Sequence, residues 1–362
     1  MPCLEGPDGI HWLKAWKTEM YRLYLRKTWV DIQDEEEMSR CFSTSISPLT
    51  IKPMKSKYAF RVTINVDGTL KYRCRLVGCG YSQILGQDYD DTFAPTAKYR
   101  SLCMLLHLAA IFDWDINGLD VEQAFLESEI DKEIYMTLPK SVYEDSVTKK
   151  PVIVRLRRSL YGLKQAGELW YAKIDQIFKS EGYKRLVHDQ CIYIKRDSET
   201  GAVTIICCYV DDILFMGNSP TEIHSTIKHF RSQVTNLTEM GEVNRYIGVD
   251  IKRDRVAHTI SLSQKPYIEK IIKSNSIPEG SESVPIPMSD TVDYATLGDG
   301  SLPLIQDKVG QFRFLPDRTR PDIATAVGIL GSAAAVAMTY RIGGMLSGRL
   351  GWLCITFRIV AL

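Results

Sequence analysis

The sequence VTIICCYVDDILFM, residues 203–216, decides the fold of this chain. Its two apolar runs, 203–208 and 213–216, are short, rich in β-branched and aromatic residues and free of Gly and Pro, which is typical of strands. Because only a few residues separate the runs, we predict a tight hairpin. Asp211 and Asp212 lie at its tip, so two carboxylates stand at the end of an otherwise apolar element.

The Asp211-Asp212 pair has two interpretations. Asp is a favourable turn residue, and an isolated pair needs no other explanation. Two carboxylates this close also repel each other, and one normally keeps its proton unless a cation relieves the repulsion. Mg²⁺ binds through one or two carboxylates together with substrate phosphates, which makes the pair a candidate metal site. The rest of the chain favours the second interpretation.

Composition and length are those of a globular protein with more than one core. The chain has 362 residues, 45% of them hydrophobic and 25% charged, which predicts two or three subdomains. The formal net charge is only +1, but the charge is unevenly distributed. Between Thr50 and Gln87 there are seven Lys or Arg and one acid, whereas between Asp113 and Glu133 there are eight acids and one base. A basic segment suits phosphates and an acidic one suits metal ions, although each is also compatible with a solvated face.

Cysteine usage and the N-terminus indicate a reducing, intracellular setting. The nine Cys residues form no CxxC pair, which argues against a disulfide framework or a zinc site. Residues 1–16 lack an apolar signal core, and no HExxH, Walker A or GxSxG pattern occurs. The apolar run Ile323–Met338 is shorter than the about 20 residues of a membrane span. We therefore expect no membrane partner.

Hydrophobic periodicity and turn residues predict the remaining elements. Helices are predicted over 11–25, 101–112, 168–180, 219–234 and 265–274, the fourth opening with a Ser-Pro-Thr-Glu capping box. Strands are predicted over 57–66 and 71–77, joined by an Asp67-Gly68 turn, and over 246–251 and 260–262. A break at Asn117-Gly118, an acidic surface turn over 31–37 and a linker over 277–303 complete the expectation.

Asp120 is the second important acid, at the predicted start of a strand in LDVEQAFL, residues 119–126. If this strand pairs beside the hairpin, Asp120 converges with Asp211 and Asp212 at one end of a sheet. Nucleotidyl transfer uses such carboxylates to bridge two metal ions. Phe125 follows five residues later, where a bulky ring could pack under a sugar and exclude a 2′-OH. The alternatives are strand-end capping for Asp120 and core packing for Phe125.

An ordered series of motifs runs from about Trp12 to Ala326. SLYGLKQA, residues 159–166, followed by Trp170, resembles a signature block of the copia-type (Ty-class) LTR-retrotransposon reverse transcriptases. Other blocks resemble that family in the same order: Trp12 to Leu23 with Thr28-Trp29, RCRLV at 73–77, GYSQ at 80–83, TFAP at 92–95, Asp120-Val121 with AFL at 124–126, EIYM at 133–136, YVDD at 209–212, YIG at 246–248, LSQ at 262–264 and TRPDI at 319–323. The ordered set makes the resemblance specific, whereas YVDD alone would not.

The resemblance implies an α+β right-hand polymerase with an antiparallel palm sheet and flanking helices. We expect an N-terminal segment over 1–50, fingers over 51–118, a palm with some fingers elements over 119–255, the start of a thumb over 256–290, and a linker with a degenerate or truncated tail over 291–362. The implied activity is RNA-directed DNA synthesis from dNTPs on a primer 3′-OH, with RNA or DNA as template. The implied location is the cytoplasm or a virus-like particle.

The resemblance also implies the site residues. Two Mg²⁺ ions, for which Mn²⁺ can substitute, would be held by Asp120, Asp211, Asp212 and the backbone carbonyl of Val121. The incoming dNTP would be bound by Arg73, Arg75, Phe125, Tyr161 and Gly162. Guanidinium forks suit phosphate oxygens, although both Arg also fit a plain surface hairpin and Tyr161-Gly162 an ordinary turn. Template or primer would be contacted by Lys164, Gln165, Tyr209, Tyr246 and Gly248, the first two having helix capping as their alternative.

The sequence departs from the family pattern at several points. Cys79 stands where the family usually has Lys, and Gly167-Glu168 replaces the commoner Pro-Arg. No Lys between Phe230 and Tyr246 is available as a general acid for the pyrophosphate. The pattern fades after Ala326; residues 323–338 lack a polar face, and residues 340–362 are expected to be poorly ordered, as after a change of reading frame. The alternative function is therefore an inactive retrotransposon remnant or a co-opted nucleic-acid-binding protein.

Overall fold

The computed structural model describes residues 6–32, 52–64, 69–139, 152–275 and 302–340 of an α+β protein. The helices are α1 Gly9–Leu25, α2 Tyr99–Ile111, α3 Ala166–Ser180, α4 Pro220–Gln233, α5 Lys265–Ser274, α6 Leu302–Arg313 and α7 Ala324–Tyr340. The strands are β1 Trp29–Asp31, β2 Met54–Ile64, β3 Leu70–Gly78, β4 Asp115–Val121, β5 Tyr135–Thr137, β6 Ile153–Leu156, β7 Lys184–Arg185, β8 Ile192–Arg196, β9 Val203–Tyr209, β10 Asp212–Gly217, β11 Leu237–Glu242, β12 Arg245–Tyr246, β13 Val249–Asp254 and β14 Thr259–Ser263. Two compact units form: Met1–Leu102 with Trp114–Glu242, and Cys103–Asp113 with Val243–Leu362.

The first unit is built on a six-stranded sheet in the order β11-β4-β10-β9-β8-β7, with every neighbouring pair antiparallel. The predicted hairpin supplies its two central strands, β9 and β10. Both faces of these strands are covered, which explains their continuous apolar sequence. Phe178 of α3 stacks on Phe230 of α4 at 5.3 Å between ring centroids and packs edge-on against Phe215 of β10. These three buried rings join the helices to the sheet.

A second sheet of the first unit has the order β1-β6-β5-β2-β3. Strands β2 and β3 form a long antiparallel hairpin, whereas β2 and β5 pair in parallel. Helix α1 packs on β3: Met20 and Leu23 share an apolar core with Leu76. Near the start of α1, the ring of Trp12 meets the rings of Phe60 and Tyr72 edge-on. The predicted helix over 11–25 and both predicted strands of this hairpin are therefore confirmed.

The second unit contains the antiparallel sheet β12-β13-β14 and the helices α5, α6 and α7. Its helical core consists of the buried residues Ile268, Ile271, Phe312, Leu315, Ile323, Ala326 and Val327. The LSQ and TRPDI motifs meet here, because the hydroxyl of Thr319 donates to Oε1 of the buried Gln264 at 2.8 Å. This hydrogen bond joins two motifs 55 residues apart within the second unit.

Helix starts follow the sequence signals closely. Ser219 caps α4, its hydroxyl accepting a hydrogen bond from the backbone N–H of Glu222 at 3.3 Å, and Pro220 occupies the first turn. The N-cap and the proline of the predicted capping box are thus confirmed, whereas the Glu222 carboxylate pairs with Lys195 at 2.7 Å. Helices α3 and α5 also begin and end within about two residues of their predicted limits.

Two predictions about β4 are wrong, one of a break and one of a strand start. Asn117-Gly118 lies inside β4, paired with Phe215 and Leu214 of β10, because strands on both sides of β4 override the local turn preference. Asp120 consequently lies near the end of this strand and not at the start of one. After Val121 the chain turns through residue 123 into a short 3-10 helix, Ala124–Glu127.

Two other predictions are corrected in the second unit. The predicted strand 246–251 is two strands, β12 and β13, because Ile247 and Gly248 form a turn with φ of +46° and +71°. The segment 323–338, predicted to lack a polar face, does bury one side over its residues 323–330: Ile323, Ala326 and Val327 are buried and Leu330 packs against them, while residues 324, 325 and 328 are exposed. The exposed side consists of Ala324, Thr325 and Gly328, so small residues and one hydroxyl take the place of a charged face.

Several predicted features lie outside the described residues. These are the Asp67-Gly68 turn, most of the acidic turn over 31–37, most of the linker over 277–303, and residues 341–362. Across the part of the chain that the structure describes, no helix has the length and apolarity needed to cross a membrane.

Candidate active site

The predicted hairpin tip places Asp211 and Asp212 in a tight, strained turn. Strand β9 ends at Tyr209 and β10 begins at Asp212, leaving Val210 and Asp211 to connect them. Val210 has a φ of +58°, which is unfavourable for a β-branched residue and persists only where its surroundings hold it. One such support is the indole N–H of the buried Trp170, which donates to the carbonyl oxygen of Val210 at 2.6 Å.

Asp120 reaches the same end of the sheet from the neighbouring strand. In the antiparallel pairing of β4 with β10, Asp120 lies directly opposite Asp212. The backbone N–H of Val121 donates to the carbonyl oxygen of Asp211 at 2.9 Å, which fixes the hairpin tip against the end of β4. The predicted convergence of Asp120, Asp211 and Asp212 at one end of a sheet is therefore confirmed.

Burial and mutual repulsion raise the pKa values of two of these acids. Burial raises the pKa of Asp212 to about 6, and repulsion from Asp211 and Asp120 adds to the shift. Burial and the charges of Asp211 and Glu122 also raise the pKa of Asp120, against the opposing effect of nearby Arg73. Carboxylates that are held together and resist ionisation are the donor set that a hard divalent cation stabilises.

A cleft of about 650 Å³ opens in front of the acids within the first unit. Asp120, Val121 and Asp211 line it on one side. Strand β3 lines it on another, where Lys71, Arg73 and Arg75 alternate with Cys74 and Leu76; the basic residues are exposed and the apolar ones are buried. Because strand side chains alternate between faces, the three cations share the side that faces the cleft.

Arg75 and Tyr161 line the cleft, and the ring of Tyr161 connects them to Phe125, which does not line it. The guanidinium of Arg75 lies 4.4 Å from the ring centroid of Tyr161. The Tyr161 ring in turn meets the ring of Phe125 edge-on at 5.3 Å. Phe125 is half-buried, since it also packs against the apolar core below. The structure thus brings together three residues that the sequence assigns to nucleotide binding.

Gly162 allows a close approach, and the partner is the protein's own backbone. It has a φ of +91°, and a Cβ atom at this position would lie 2.2 Å from the carbonyl oxygen of Gly78. Gly80 is equally tight, because its Cβ would lie 2.1 Å from the carbonyl oxygen of Gly162. The backbone N–H of Gly78 donates to the carbonyl oxygen of Tyr161 at 2.8 Å. These contacts join the SLYGLKQA segment to the end of β3.

Lys164 and Gln165 belong to a hydrogen-bonded network inside the first unit. Gln165 is fully buried, and its amide contacts Gln83 at 3.0 Å, the carbonyl of Asp88 at 2.8 Å and the carboxylate of Asp131 at 3.3 Å. The ammonium group of Lys164 donates to the carbonyl of Gln83 at 3.3 Å. Neither side chain caps α3. Burial keeps the Gln165 side chain from touching a template directly, whereas Lys164 is exposed.

The three remaining predicted contacts differ in their exposure. Tyr209 is half-buried at the end of β9 in the first unit. In the second unit, Tyr246 is only 2% exposed. Gly248, with a φ of +71°, lies where a Cβ would come within 3.1 Å of the Phe314 ring, so the YIG motif packs against the turn that follows α6.

Two of these acids, with one backbone carbonyl nearby, form the candidate metal-binding set. Among the described residues, no three His, Cys, Asp or Glu side chains form a group that could hold a metal ion on their own. Asp120 and Asp211 line the cleft together with Val121, whereas Asp212 does not. One or two carboxylates completed by substrate phosphates are what Mg²⁺ prefers, so the donor set fits an ion that arrives with a triphosphate.

The cleft contains residues that the sequence reasoning did not assign to the site. Lys71 could have been found from its alternation with Arg73 and Arg75. Glu19 carried a different signal: it lies on the apolar side of α1, three residues after Trp16 and four before Leu23, where a charged residue is unexpected. Nothing in the sequence marks Gln123 as a residue of the cleft. Its place there follows from its left-handed backbone conformation in the turn after β4.

Comparison with known sequences identifies the class. Residues 40–290 match the family described as reverse transcriptase (RNA-dependent DNA polymerase). The chain therefore belongs to the reverse transcriptase family, and the resemblance to its copia-type members is confirmed.

Its relatives are transposon polyproteins. The chain is 33% identical over 337 residues to the retrovirus-related Pol polyprotein from transposon TNT 1-94 of Nicotiana tabacum, covering 90% of this chain and 24% of the polyprotein. It is 32% identical to the corresponding polyprotein from transposon RE1 of Arabidopsis thaliana, covering 76% of this chain and 18% of that protein. A putative transposon Ty5-1 protein of Saccharomyces cerevisiae is 28% identical, with 59% of this chain and 68% of that protein covered. The chain thus spans about a quarter or less of the two plant polyproteins.

Proposed function

We propose that this chain catalyses RNA-directed DNA synthesis, adding dNTPs to a primer 3′-hydroxyl by two-metal nucleotidyl transfer. The observation that carries the proposal is the meeting of Asp120 and the Asp211-Asp212 hairpin tip at a cleft whose other side is lined by Lys71, Arg73 and Arg75. Acids for metal ions and cations for phosphates within one cleft are the two requirements of phosphoryl transfer. Family membership supports the same reaction.

Asp120, Asp211 and the carbonyl of Val121, which line the cleft, would hold two Mg²⁺ ions together with substrate phosphates, or Mn²⁺ in their place; Asp212 belongs to the proposed set although it does not line the cleft. When bound, the ions would lower the pKa of the primer hydroxyl and neutralise charge on the triphosphate. The protein's own share is to keep the carboxylates together at the hairpin tip, which the Trp170 and Val121 hydrogen bonds support. Arg73 and Arg75 would bind phosphate oxygens, a task for which a guanidinium fork is suited.

Phe125 and Tyr161 form the proposed floor for the sugar and base. Their edge-to-face contact joins Phe125 to Tyr161, which lines the cleft together with Asp120. A ring fixed at the 2′ position would exclude a hydroxyl there and so favour deoxynucleotides. Gly162 would contribute by letting the segment after Tyr161 pack against Gly78 without a side chain between them.

The proposed architecture is a right hand. We assign residues 51–118 to the fingers, 119–255 to the palm with some fingers elements, and 256–290 to the start of a thumb, with segments 1–50 and 291–362 on either side. The six-stranded antiparallel sheet with α3 and α4 behind it supports the palm assignment. The β2–β3 hairpin with its basic face supports the fingers assignment. Template and primer would be contacted near Lys164, Gln165, Tyr209, Tyr246 and Gly248.

Primer extension tests the proposal. The purified chain is given poly(rA)/oligo(dT), dTTP and either Mg²⁺ or Mn²⁺, and product length is followed with time. We expect extension by the unaltered protein and none by Asp211→Asn. Primer-template affinity should persist in that variant and fall steeply with salt, because it depends mainly on backbone phosphates. Salt-sensitive binding without extension under either metal would instead support a nucleic-acid-binding protein that does not polymerise.

A further inference from the structure

Helix α1 reaches into the turn formed by residues 122–127, which follows Asp120. Glu19 is only 5% exposed, and its two carboxylate oxygens have different partners. One accepts a hydrogen bond from the side-chain amide of Gln123 at 2.7 Å. The other accepts from the backbone N–H of Leu76, on β3, at 3.3 Å. A single buried carboxylate therefore joins α1, β3 and the 122–127 turn.

Arg26, the residue that follows the last residue of α1, makes a second connection. Its guanidinium donates to the backbone carbonyls of Gln123 at 3.2 Å and Glu122 at 3.3 Å, and it pairs with the carboxylate of Glu127 at 3.1 Å. Both side chains of this ion pair are at least nine-tenths buried. A buried pair of this kind contributes mainly by fixing geometry, because removing one partner leaves the other charge uncompensated.

Glu127 fixes the far end of the turn. Its carboxylate accepts hydrogen bonds from the hydroxyl of Thr235 at 2.5 Å and from the backbone N–H of Thr235 at 3.2 Å. Its carbonyl accepts from the ammonium group of Lys173 at 2.7 Å. The turn is thus held at both ends by side chains from distant parts of the first unit.

The turn needs this support because of its backbone. Gln123 has a φ of +59°, a left-handed conformation that a residue with a side chain adopts only where its surroundings enforce it. The strained residue lies between Asp120 and Phe125. Its conformation consequently sets the position of the Phe125 ring relative to the Asp120 carboxylate.

We propose that Glu19 and Arg26 are positioning residues that hold the 122–127 turn, and through it Phe125, in place relative to Asp120. Neither acts on substrate, since the oxygens of Glu19 and the guanidinium of Arg26 are engaged within the protein. The consequence for sugar selection rests on the proposed polymerase function. Loosening the turn should let Phe125 withdraw and admit a 2′-OH, while the acids at the hairpin tip stay where they are.

Two substitutions at Glu19 separate its hydrogen bonds from its charge. Oε1 of Gln123 has no hydrogen-bond partner among the described residues, so the Gln123 amide can rotate to accept a hydrogen bond. In E19Q the new amide can therefore donate to Gln123 and still accept from Leu76, which keeps both hydrogen bonds without the charge. E19L has similar volume and loses both. Q123L removes the same contact from the other side.

The first measurement is hydrogen–deuterium exchange of the peptide covering residues 120–128, which needs no catalytic activity. We expect exchange to be about tenfold faster in E19L and Q123L and nearly unchanged in E19Q. The second is kcat/KM for ribonucleotide relative to deoxynucleotide in primer extension. We expect this ratio to rise on the order of tenfold in E19L and Q123L, because small displacements at a reacting centre have large kinetic effects. The double variant E19L/Q123L should change exchange and the ratio little more than E19L alone, since both substitutions remove the hydrogen bond between Glu19 and Gln123.

Asp189→Asn is the matched control. Asp189 is a buried carboxylate that accepts from the backbone N–H groups of Lys98 and Cys191, in another loop of the same unit. The Asp189→Asn substitution should lower the melting temperature without changing hydrogen–deuterium exchange at residues 120–128 or the ratio of ribonucleotide to deoxynucleotide kcat/KM. If E19L behaves like this control, Glu19 is only a packing residue and the inference is wrong. If the unaltered chain extends no primer, the proposed function fails, while the exchange result still decides whether α1 holds the turn.

Discussion

Replacing Asp212 by Asn should stabilise the metal-free protein at neutral pH, although Asp212 belongs to the proposed catalytic set. Burial and the neighbouring Asp211 and Asp120 raise its pKa from the ordinary value of 3.8 to about 6. Folding therefore opposes ionisation of this carboxylate. A shift of roughly two units corresponds to about 3 kcal/mol at most, since each unit is about 1.4 kcal/mol. Asn is nearly isosteric and removes the charge.

The sign of the pH dependence follows from the raised pKa. Below its ordinary value, Asp212 is protonated in both the folded and the unfolded states, and no penalty exists. Between the ordinary value of 3.8 and about 6, the unfolded chain loses this proton while the folded protein keeps it, so stability falls over this range and levels off above it. The advantage of Asp212→Asn should thus be largest at pH 7.5 and roughly halved at pH 5.

The assay is thermal unfolding in a chelator at several pH values. For a domain of this size, 1 kcal/mol moves the melting temperature by roughly 2–4 °C. Asp197→Asn is the control of opposite sign: hydrogen bonds from Thr200 and from backbone N–H groups lower the pKa of this exposed carboxylate. Its loss should destabilise, with an effect that disappears on acidification. A lower melting temperature for Asp212→Asn at pH 7.5, or a difference independent of pH, would refute the electrostatic reasoning.

Four other outcomes are expected. Phe125→Ala should raise ribonucleotide incorporation far more than it lowers deoxynucleotide incorporation in primer extension; an equal loss of both would reduce Phe125 to core packing. Trp170→Phe removes the N–H that supports the Val210 carbonyl and should lower stability by about 1–3 kcal/mol, so an unchanged melting temperature would contradict the contact. Burial, Asp131 and Asp91 raise the pKa of Glu168, so Glu168→Gln should raise the melting temperature at pH 7.5, with a gain that fades as the pH falls through that pKa; a gain independent of pH would count against repulsion. Deleting residues 341–362 should leave the melting temperature unchanged and improve solubility, and a fall of several degrees, about 1 kcal/mol or more, would show that the segment belongs to the fold.

Local sequence signals were sufficient where each element is decided by its own residues. The apolar runs of β9 and β10, the capping box of α4 and the periodicity of α1 all predicted the observed elements. The acids of the site were predictable from the ordered motifs around them, since an Asp-Asp pair alone is also an ordinary turn. The basic face of β3 was partly predictable from its alternation.

Prediction failed where neighbours in space override the local preference. Asn117-Gly118 is a strong turn signal, yet β10 and β11 supply hydrogen bonds on both sides and keep it in a strand. Residues 323–330 lack charged residues, yet small side chains and Thr325 allow one side to remain exposed. In both cases the deciding interactions come from residues far away in the sequence.

The contact between α1 and the 122–127 turn is the strongest case of this kind. Glu19 and Gln123 are 104 residues apart, and their hydrogen bond depends on two sheets being assembled first. A charged residue on the apolar face of α1 reveals that a buried partner must exist, because an unpaired buried carboxylate is too costly to retain. It does not reveal which partner. Because that partner adjoins the strand end that carries Asp120, a helix far from the hairpin in sequence becomes part of what sets the geometry of the proposed nucleotide site.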